Sequence, residues 1–138
     1  MYKLYFDGAS RSNPGPASYG GVIIDPQNKE YYVYNQYIGK QTNNVAEYLG
    51  LFEGLRLCQA FEIKNVEIYG DSKLVIQQVK GAWKVKSPNL IPIHNAISEL
   101  LNEKTFNEIS FNHVLRKYNK RADELANMAL NNYLNKTA

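Results

Sequence analysis

The stretch YFDGASRSNPGPASYGGVII, residues 5–24, places a small polar segment between two apolar runs. The run at 2–6 predicts a β-strand, and the run at 19–24 predicts a second one. The short connection favours an antiparallel pair. On this interpretation the first strand ends on an acid, Asp7, which a strand that only fills a core does not need. The stretch therefore indicates both a sheet and a candidate functional group at its edge.

The rest of the chain adds one more strand and then alternates helices with strands. Residues 31–38 predict the third strand, and the turn residues before it again favour an antiparallel pair. Helical periodicity and short apolar runs predict a helix at 44–60, a strand at 65–69, helices at 72–80 and 90–103, a strand at 108–113 and a helix at 119–134. We therefore expect an α/β fold: a five-stranded mixed sheet, three antiparallel strands and then two parallel ones, with helices on both faces.

Composition narrows the class of protein. The 138 residues fit one domain, 1–138, and the net charge of +3 is compatible with a nucleic-acid partner without requiring one. One cysteine, Cys58, excludes an internal disulfide and a multi-cysteine zinc site. No apolar window approaches the length of a membrane span, and the first residues enter a strand without a leader. These features predict a cytoplasmic protein with no membrane contact.

Four carboxylates lie where the predicted elements begin or end: Asp7, Glu47, Asp71 and Asp123. Each alone has an ordinary explanation, as a turn residue, a capping box with Asn44, a helix cap or a partner of the helix dipole. Together, at strand ends and helix starts, they would meet in one cleft and repel each other. Divalent cations relieve such repulsion, and hard oxygen ligands favour Mg²⁺ or Mn²⁺. Two such ions roughly 4 Å apart can hydrolyse a phosphodiester.

The segments YFDGASRSNPG, TNNVAEYLGLFEGL, YGDSKLVIQQVKG and VLRKYNKRADELAN resemble, in order and approximate spacing, the acidic motifs of the type 1 ribonuclease H family. The resemblance covers essentially the whole chain. It implies the ribonuclease H-like fold and hydrolysis of the RNA strand of RNA–DNA hybrids, leaving 3′-hydroxyl and 5′-phosphate ends. It also implies two Mg²⁺ ions, with Mn²⁺ as a substitute, held by Asp7, Glu47, Asp71 and Asp123.

The resemblance also assigns residues to the substrate. It implies that Ser10, Ser12 and Asn43 contact the RNA strand, where hydroxyl and amide groups can recognise the 2′-hydroxyl. Asn13 and Asn44 would face the DNA strand. All of these residues can instead serve turns and helix caps, as the sequence also allows.

Further candidates surround these groups. Gly8 would let the substrate backbone come close, and Ser72 is either a site residue or a helix cap. The remaining resemblance-based assignments are a DNA-phosphate pocket at Lys40 and Thr42, and a wall along the DNA strand at Trp83, Lys84 and Lys86. Core packing is the alternative for the tryptophan.

His113 would assist proton transfer or product departure, with Arg116 as the alternative candidate, whereas His94 is expected to be structural or exposed. The segment 80–89 is too short for the extra basic helix of some relatives, so we expect hybrid binding to be weaker or to depend on a partner. We expect a monomer. The alternatives are a nuclease of this fold that cuts double-stranded RNA or a DNA junction, and a non-catalytic binding module. None of the four acids is missing, which favours the enzyme.

Overall fold

A computed structural model of the chain describes residues 1–137. Its strands are β1 (Tyr2–Ser10), β2 (Gly15–Ile24), β3 (Glu30–Gln41), β4 (Asn65–Gly70) and β5 (Glu108–His113). Its helices are α1 (Asn43–Ala60), α2 (Lys73–Val79), α3 (Ile91–Asn102) and α4 (Lys120–Thr137), and a 3-10 turn (Arg116–Tyr118) precedes α4. The predicted order of elements is confirmed.

The strands form one sheet in the order β3-β2-β1-β4-β5. β1 and β3 each pair antiparallel with β2, whereas β4 pairs parallel with both β1 and β5. The predicted mixed sheet is therefore confirmed. Its direction changes at β1, which has an antiparallel neighbour on one side and a parallel neighbour on the other.

The first strand is longer than the sequence indicates, and this corrects the position of Asp7. β1 continues to Ser10 because residues 7–10 pair with residues 17–20 of β2. The parallel ladder to β4 ends earlier, with Phe6 opposite Gly70. Asp7 is thus the first residue of β1 beyond the ladder to β4, rather than the last residue of the strand.

Helices cover both faces of the sheet. α1 packs on β1 and β2 from one face, where the fully buried side chains Leu4, Phe6 and Leu51 belong to the main core. α4 packs on β1, β2 and β3 from the other face. Among the described residues, no helix is both long enough and apolar enough to cross a membrane.

Two glycines let these helices approach the sheet closely. A Cβ atom on Gly8 would lie 2.4 Å from the backbone nitrogen of Glu47 in α1. A Cβ atom on Gly20 would lie 2.4 Å from the backbone nitrogen of Ala126 in α4. Any side chain at either position would push away a helix that carries one of the four acids.

Candidate active site

Three of the four acids meet at the edge of the sheet. Asp7 lies on β1 just beyond the ladder to β4, Asp71 directly follows β4, and Glu47 lies in the second turn of α1. Each offers a carboxylate oxygen, and these oxygens all lie within 4.8 Å of one another. Neighbouring parallel strands end side by side, which places two of the acids together, and Gly8 allows α1 to bring the third.

The cluster is unfavourable as a set of bare charges. Burial, with the charge of Asp71 adding to it, raises the pKa of Asp7 to about 7, against the lowering effect of hydrogen bonds from Glu47 and the Gly8 amide. Burial and the charge of Asp7 raise the pKa of Glu47 well above its usual range. The Oε2 atom of Glu47 is buried and has no hydrogen-bond partner among residues 1–137. An oxygen-rich pocket with an unsatisfied buried acceptor fits a hard divalent cation.

Asp123 lies in the first turn of α4 and lines the same cleft. It is outside the set of oxygens within 4.8 Å that the described residues form. Asn127, one turn further along α4, donates from Nδ2 to the Asp123 carboxylate at 3.1 Å and to its backbone oxygen at 2.9 Å. The fourth predicted acid is therefore at the site, held by its own helix and set back from the other three.

A cleft of about 440 Å³ opens above the acids. Three residues of its lining were not predicted from the sequence, and of these only Asn127 had a usable signal, its position one helical turn after an acid. No pattern in the sequence indicates the other two, Ala9 and Arg11. Besides the four acids, the predicted residues that line the cleft are Gly8, Ser10, Asn43, Asn44, Ser72 and Arg116.

The other predicted residues lie outside this lining: Ser12, Asn13, Lys40, Thr42, Trp83, Lys84, Lys86 and His113. Some have structural roles. Thr42 is the N-cap of α1, where its Oγ1 accepts from the Val45 amide at 3.2 Å. Asn13 accepts a hydrogen bond at 3.0 Å from the Asn43 amide and so ties the β1–β2 loop to the start of α1.

The caps correct part of the sequence interpretation. Because Thr42 caps α1, Asn44 is not the cap and Glu47 does not close a capping box with it. Ser72 caps α2 by accepting from the Val75 amide, so it has the capping role although it also lines the cleft. The structure also shows why residue 8 is a glycine, which the sequence did not: α1 occupies the space that a side chain at this position would need.

Trp83 is 43% exposed, which excludes the core alternative. The Nζ atom of Lys73 lies 6.0 Å from the centre of its ring. Trp83 lines a second cavity, between α2 and α3, together with Lys84 and the half-buried His94. The described chain has no helix between α2 and α3.

His113 and Arg116 differ in position. His113 is exposed at the end of β5, opposite Gly70 of β4, and does not line the cleft. Arg116 begins the 3-10 turn and does line it. The geometry therefore places Arg116, rather than His113, in the lining of the cleft that holds the acids.

The sequence of this chain is similar to those of known proteins. The "Reverse transcriptase-like" family matches residues 5–129. Ribonuclease HI of Halobacterium salinarum is 43% identical over 126 residues, which are 91% of this chain and 62% of that protein. The bifunctional protein Rv2228c of Mycobacterium tuberculosis is 41% identical over 125 residues, 90% of this chain and 34% of that protein. This chain thus spans less than two thirds of these relatives.

Solved structures of ribonucleases H are also similar to this chain. The N-terminal ribonuclease H domain of Rv2228c from Mycobacterium tuberculosis, solved as a fusion with maltose-binding protein, has a TM-score of 0.92 and 38% identity, covering 99% of this chain and 98% of that chain. LC11-RNase H1, solved in complex with an RNA/DNA hybrid, has a TM-score of 0.91 and 38% identity, covering 97% of this chain and 99% of that chain. On the match over residues 5–129 and the identity to Ribonuclease HI, this chain belongs to the type 1 ribonuclease H family.

Proposed function

We propose that this protein is an endoribonuclease that hydrolyses the RNA strand of RNA–DNA hybrids, leaving 3′-hydroxyl and 5′-phosphate ends. The observation that carries the proposal is the cluster of Asp7, Glu47 and Asp71, whose oxygens lie within 4.8 Å in a cleft open to solvent. Membership of the family and the hybrid bound by LC11-RNase H1 support the choice of substrate.

The four acids would hold the divalent cations, which we propose to be two Mg²⁺ ions, with Mn²⁺ as a substitute. The buried, unsatisfied oxygen of Glu47 and the raised pKa values of Asp7 and Glu47 support a cation here, because a bound cation would favour the charged carboxylates. When bound, such ions activate a water molecule and stabilise the leaving oxygen of a phosphodiester. The role of the protein is to hold the carboxylates in place.

The side chains around the acids would position the RNA strand. Ser10 and Asn43 line the cleft with a hydroxyl and an amide group, which can donate to and accept from a 2′-hydroxyl. Arg116 presents a permanent positive charge to the same cleft and would hold a phosphate near the acids. We propose that Ser12, which follows this group in the β1–β2 loop, also contacts the RNA strand, and that His113 assists proton transfer from the rim.

The DNA strand would run beside the cleft. We propose a phosphate pocket at Lys40 and Thr42 and a wall at Trp83, Lys84 and Lys86, and we propose that Asn13 and Asn44 face the same strand. The exposure of Trp83 supports this, because an exposed indole can stack on a sugar while nearby lysines contact phosphates. The capping bond of Thr42 leaves its hydroxyl hydrogen available to a phosphate oxygen.

The test is a cleavage assay with labelled RNA–DNA hybrid, double-stranded RNA, single-stranded RNA and double-stranded DNA. Each substrate is incubated with Mg²⁺, with Mn²⁺ or with a chelator, and Asp7→Asn serves as the inactive control. We expect cleavage of the RNA strand of the hybrid, dependent on either metal. Cleavage of double-stranded RNA alone would favour the other nuclease, and tight hybrid binding without cleavage would favour the binding module.

We further propose that residues 1–138 form one catalytic domain that acts as a monomer in the cytoplasm. The buried, unpaired Cys58 is compatible with a reducing compartment. Light scattering after size exclusion should give a mass close to the 15.8 kDa of the chain. A mass of twice that value would contradict the monomer, and recovery of the protein outside the cytoplasm in cell fractionation would contradict the compartment.

A further inference from the structure

Asn119, between the 3-10 turn and α4, is a buried polar residue that the proposed chemistry does not use. It is only 1% exposed. Its Nδ2 atom donates to the Phe6 backbone oxygen at 2.8 Å and to the Asp71 carboxylate at 3.2 Å. Its Oδ1 atom is buried and has no hydrogen-bond partner in the part of the chain that the structure describes.

These neighbours fix the orientation of the amide. The two groups that Nδ2 contacts, a carbonyl and a carboxylate, are both acceptors. If the amide were rotated by half a turn, its oxygen would face both acceptors and two hydrogen bonds would be lost. Leaving Oδ1 without a partner therefore costs less free energy than losing both hydrogen bonds of Nδ2. The contribution of Asn119 lies in the two groups that its NH₂ group binds.

The hydrogen bonds of Asn119 connect it to three of the four acids or to their neighbours in the chain. Phe6 is the residue before Asp7 on β1, and the Asp71 carboxylate accepts directly from the amide. The backbone oxygen of Asn119 accepts from the Asp123 amide at 3.1 Å, in the first turn of α4. One residue thus joins β1, the end of β4 and the start of α4 at the point where their acids meet.

We infer that Asn119 is a positioning residue for the cation site: it orients the Asp71 carboxylate and fixes α4, with Asp123, against β1. This inference rests on the proposed function, since it assumes that the acids hold divalent cations. Groups that hydrogen-bond to a ligating carboxylate orient it, and losing one typically lowers metal affinity or activity by about 10–100-fold.

The test compares Asn119→Ala with Asn35→Ala. Asn35 is the control, because its Nδ2 donates to the Leu125 backbone oxygen at 2.8 Å and so also ties α4 to the sheet, without a hydrogen bond to any of the four acids in the described part of the chain. Calorimetry measures Mg²⁺ binding to each variant without nucleic acid, and thermal unfolding in chelator measures stability. We expect Asn119→Ala to weaken Mg²⁺ binding about 10-fold, whereas Asn35→Ala leaves it within about two-fold of wild type.

Equal Mg²⁺ affinity in the two variants would overturn the inference and leave Asn119 with a structural role only. If the wild-type protein binds no Mg²⁺ and cleaves no hybrid, the proposed function fails instead, so the two failures are distinguishable. Should Asn119→Ala not fold, Asn119→Ser replaces it, because water can fill a polar space beside a hydroxyl. The same 10-fold loss is expected for that variant, and wild-type affinity would overturn the inference.

Discussion

Burial of Asp7 disfavours the charged carboxylate that the proposed cation site needs. It is 4% exposed beside Glu47 and Asp71, and burial raises its pKa from 3.8 to about 7. Without a bound cation, the folded protein therefore keeps Asp7 protonated between pH 3.8 and about pH 7, whereas the unfolded chain loses that proton in the same range. Such a group makes the free energy of unfolding decrease as pH rises between the two pKa values.

Replacing Asp7 with Asn should abolish cleavage and stabilise the metal-free protein. One pKa unit corresponds to about 1.4 kcal/mol, so we expect a gain on the order of 1–3 kcal/mol at about pH 8. The gain should shrink at about pH 5, where wild-type Asp7 is protonated and no longer repels its neighbours. Thermal unfolding in chelator at both pH values measures the gain, and hybrid cleavage measures activity. Full activity of the variant would contradict the metal site.

Arg116 and His113 can be separated by single substitutions. Because Arg116 lines the cleft and His113 does not, we expect Arg116→Ala to lower kcat roughly 10–100-fold, an effect in the range seen for one electrostatic contact. His113→Ala should lower kcat less, with little change in KM. Lys117→Ala, an exposed neighbour outside the cleft lining, is the control. Wild-type rates for both single variants and for the double variant would remove this segment from catalysis.

At the scale of elements, the site depends on how closely two helices approach the sheet. α1 contacts β1 across Gly8, and α4 contacts β2 across Gly20. Each helix carries one acid, whereas the other two acids lie on or just after neighbouring parallel strands. The relative positions of the carboxylates are therefore set by helix–sheet distances as well as by the strands.

Gly8→Ala should displace α1, because the new Cβ would lie 2.4 Å from the Glu47 amide nitrogen. We expect a loss of about 1–3 kcal/mol in stability, as for an overpacked core, together with a loss of cleavage activity of about 10-fold or more. Gly39→Ala is the control: Gly39 has a positive φ of 79°, but apart from its chain neighbours no atom of the described residues lies within 4 Å of the Cβ that alanine would add. Strain should lower its stability without loss of activity. Equal activity of the two variants would show that the approach of α1 does not matter.

The whole molecule combines a cluster of acids with a set of exposed lysines. The acids occupy the end where β1 passes the parallel ladder, and the proposed lysines at 40, 84 and 86 are exposed. A net charge of +3 is small, so attraction to nucleic acid would come from local groups rather than from the total. Binding to a hybrid should weaken with salt because such contacts release counterions.

Replacing both Lys84 and Lys86 with Ala should lower the slope of log affinity against log salt by about one to two units. The control replaces Lys29 and Lys64, which are exposed at the opposite end of the strands, before β3 and before β4. Fluorescence anisotropy with a labelled hybrid, with all proteins carrying Asp7→Asn to prevent cleavage, measures the slope. An unchanged slope for Lys84 and Lys86 would place them outside the interface.

Residue patterns alone predict the order of elements, the mixed sheet and the four acids. These features follow from local rules: apolar periodicity distinguishes strands from helices, and short or helical connections decide between antiparallel and parallel pairs. The acids stood out because they occur at element boundaries, and their motifs identified the family. The end of β1 was predicted too early in the chain, because β1 extends to Ser10 through pairing with β2 and not through any apolar pattern.

Which side chains meet became clear from the three-dimensional packing alone. It placed Asp123 apart from the three close carboxylates, brought Arg116 into the cleft, and showed that Gly8 makes room for α1. It also revealed Asn119, whose partners Phe6 and Asp71 lie 113 and 48 residues away in the chain. A polar residue between a basic segment and a helix looks like an ordinary cap in the sequence. Contacts across such distances depend on how helices pack against the sheet, and no local pattern records that packing.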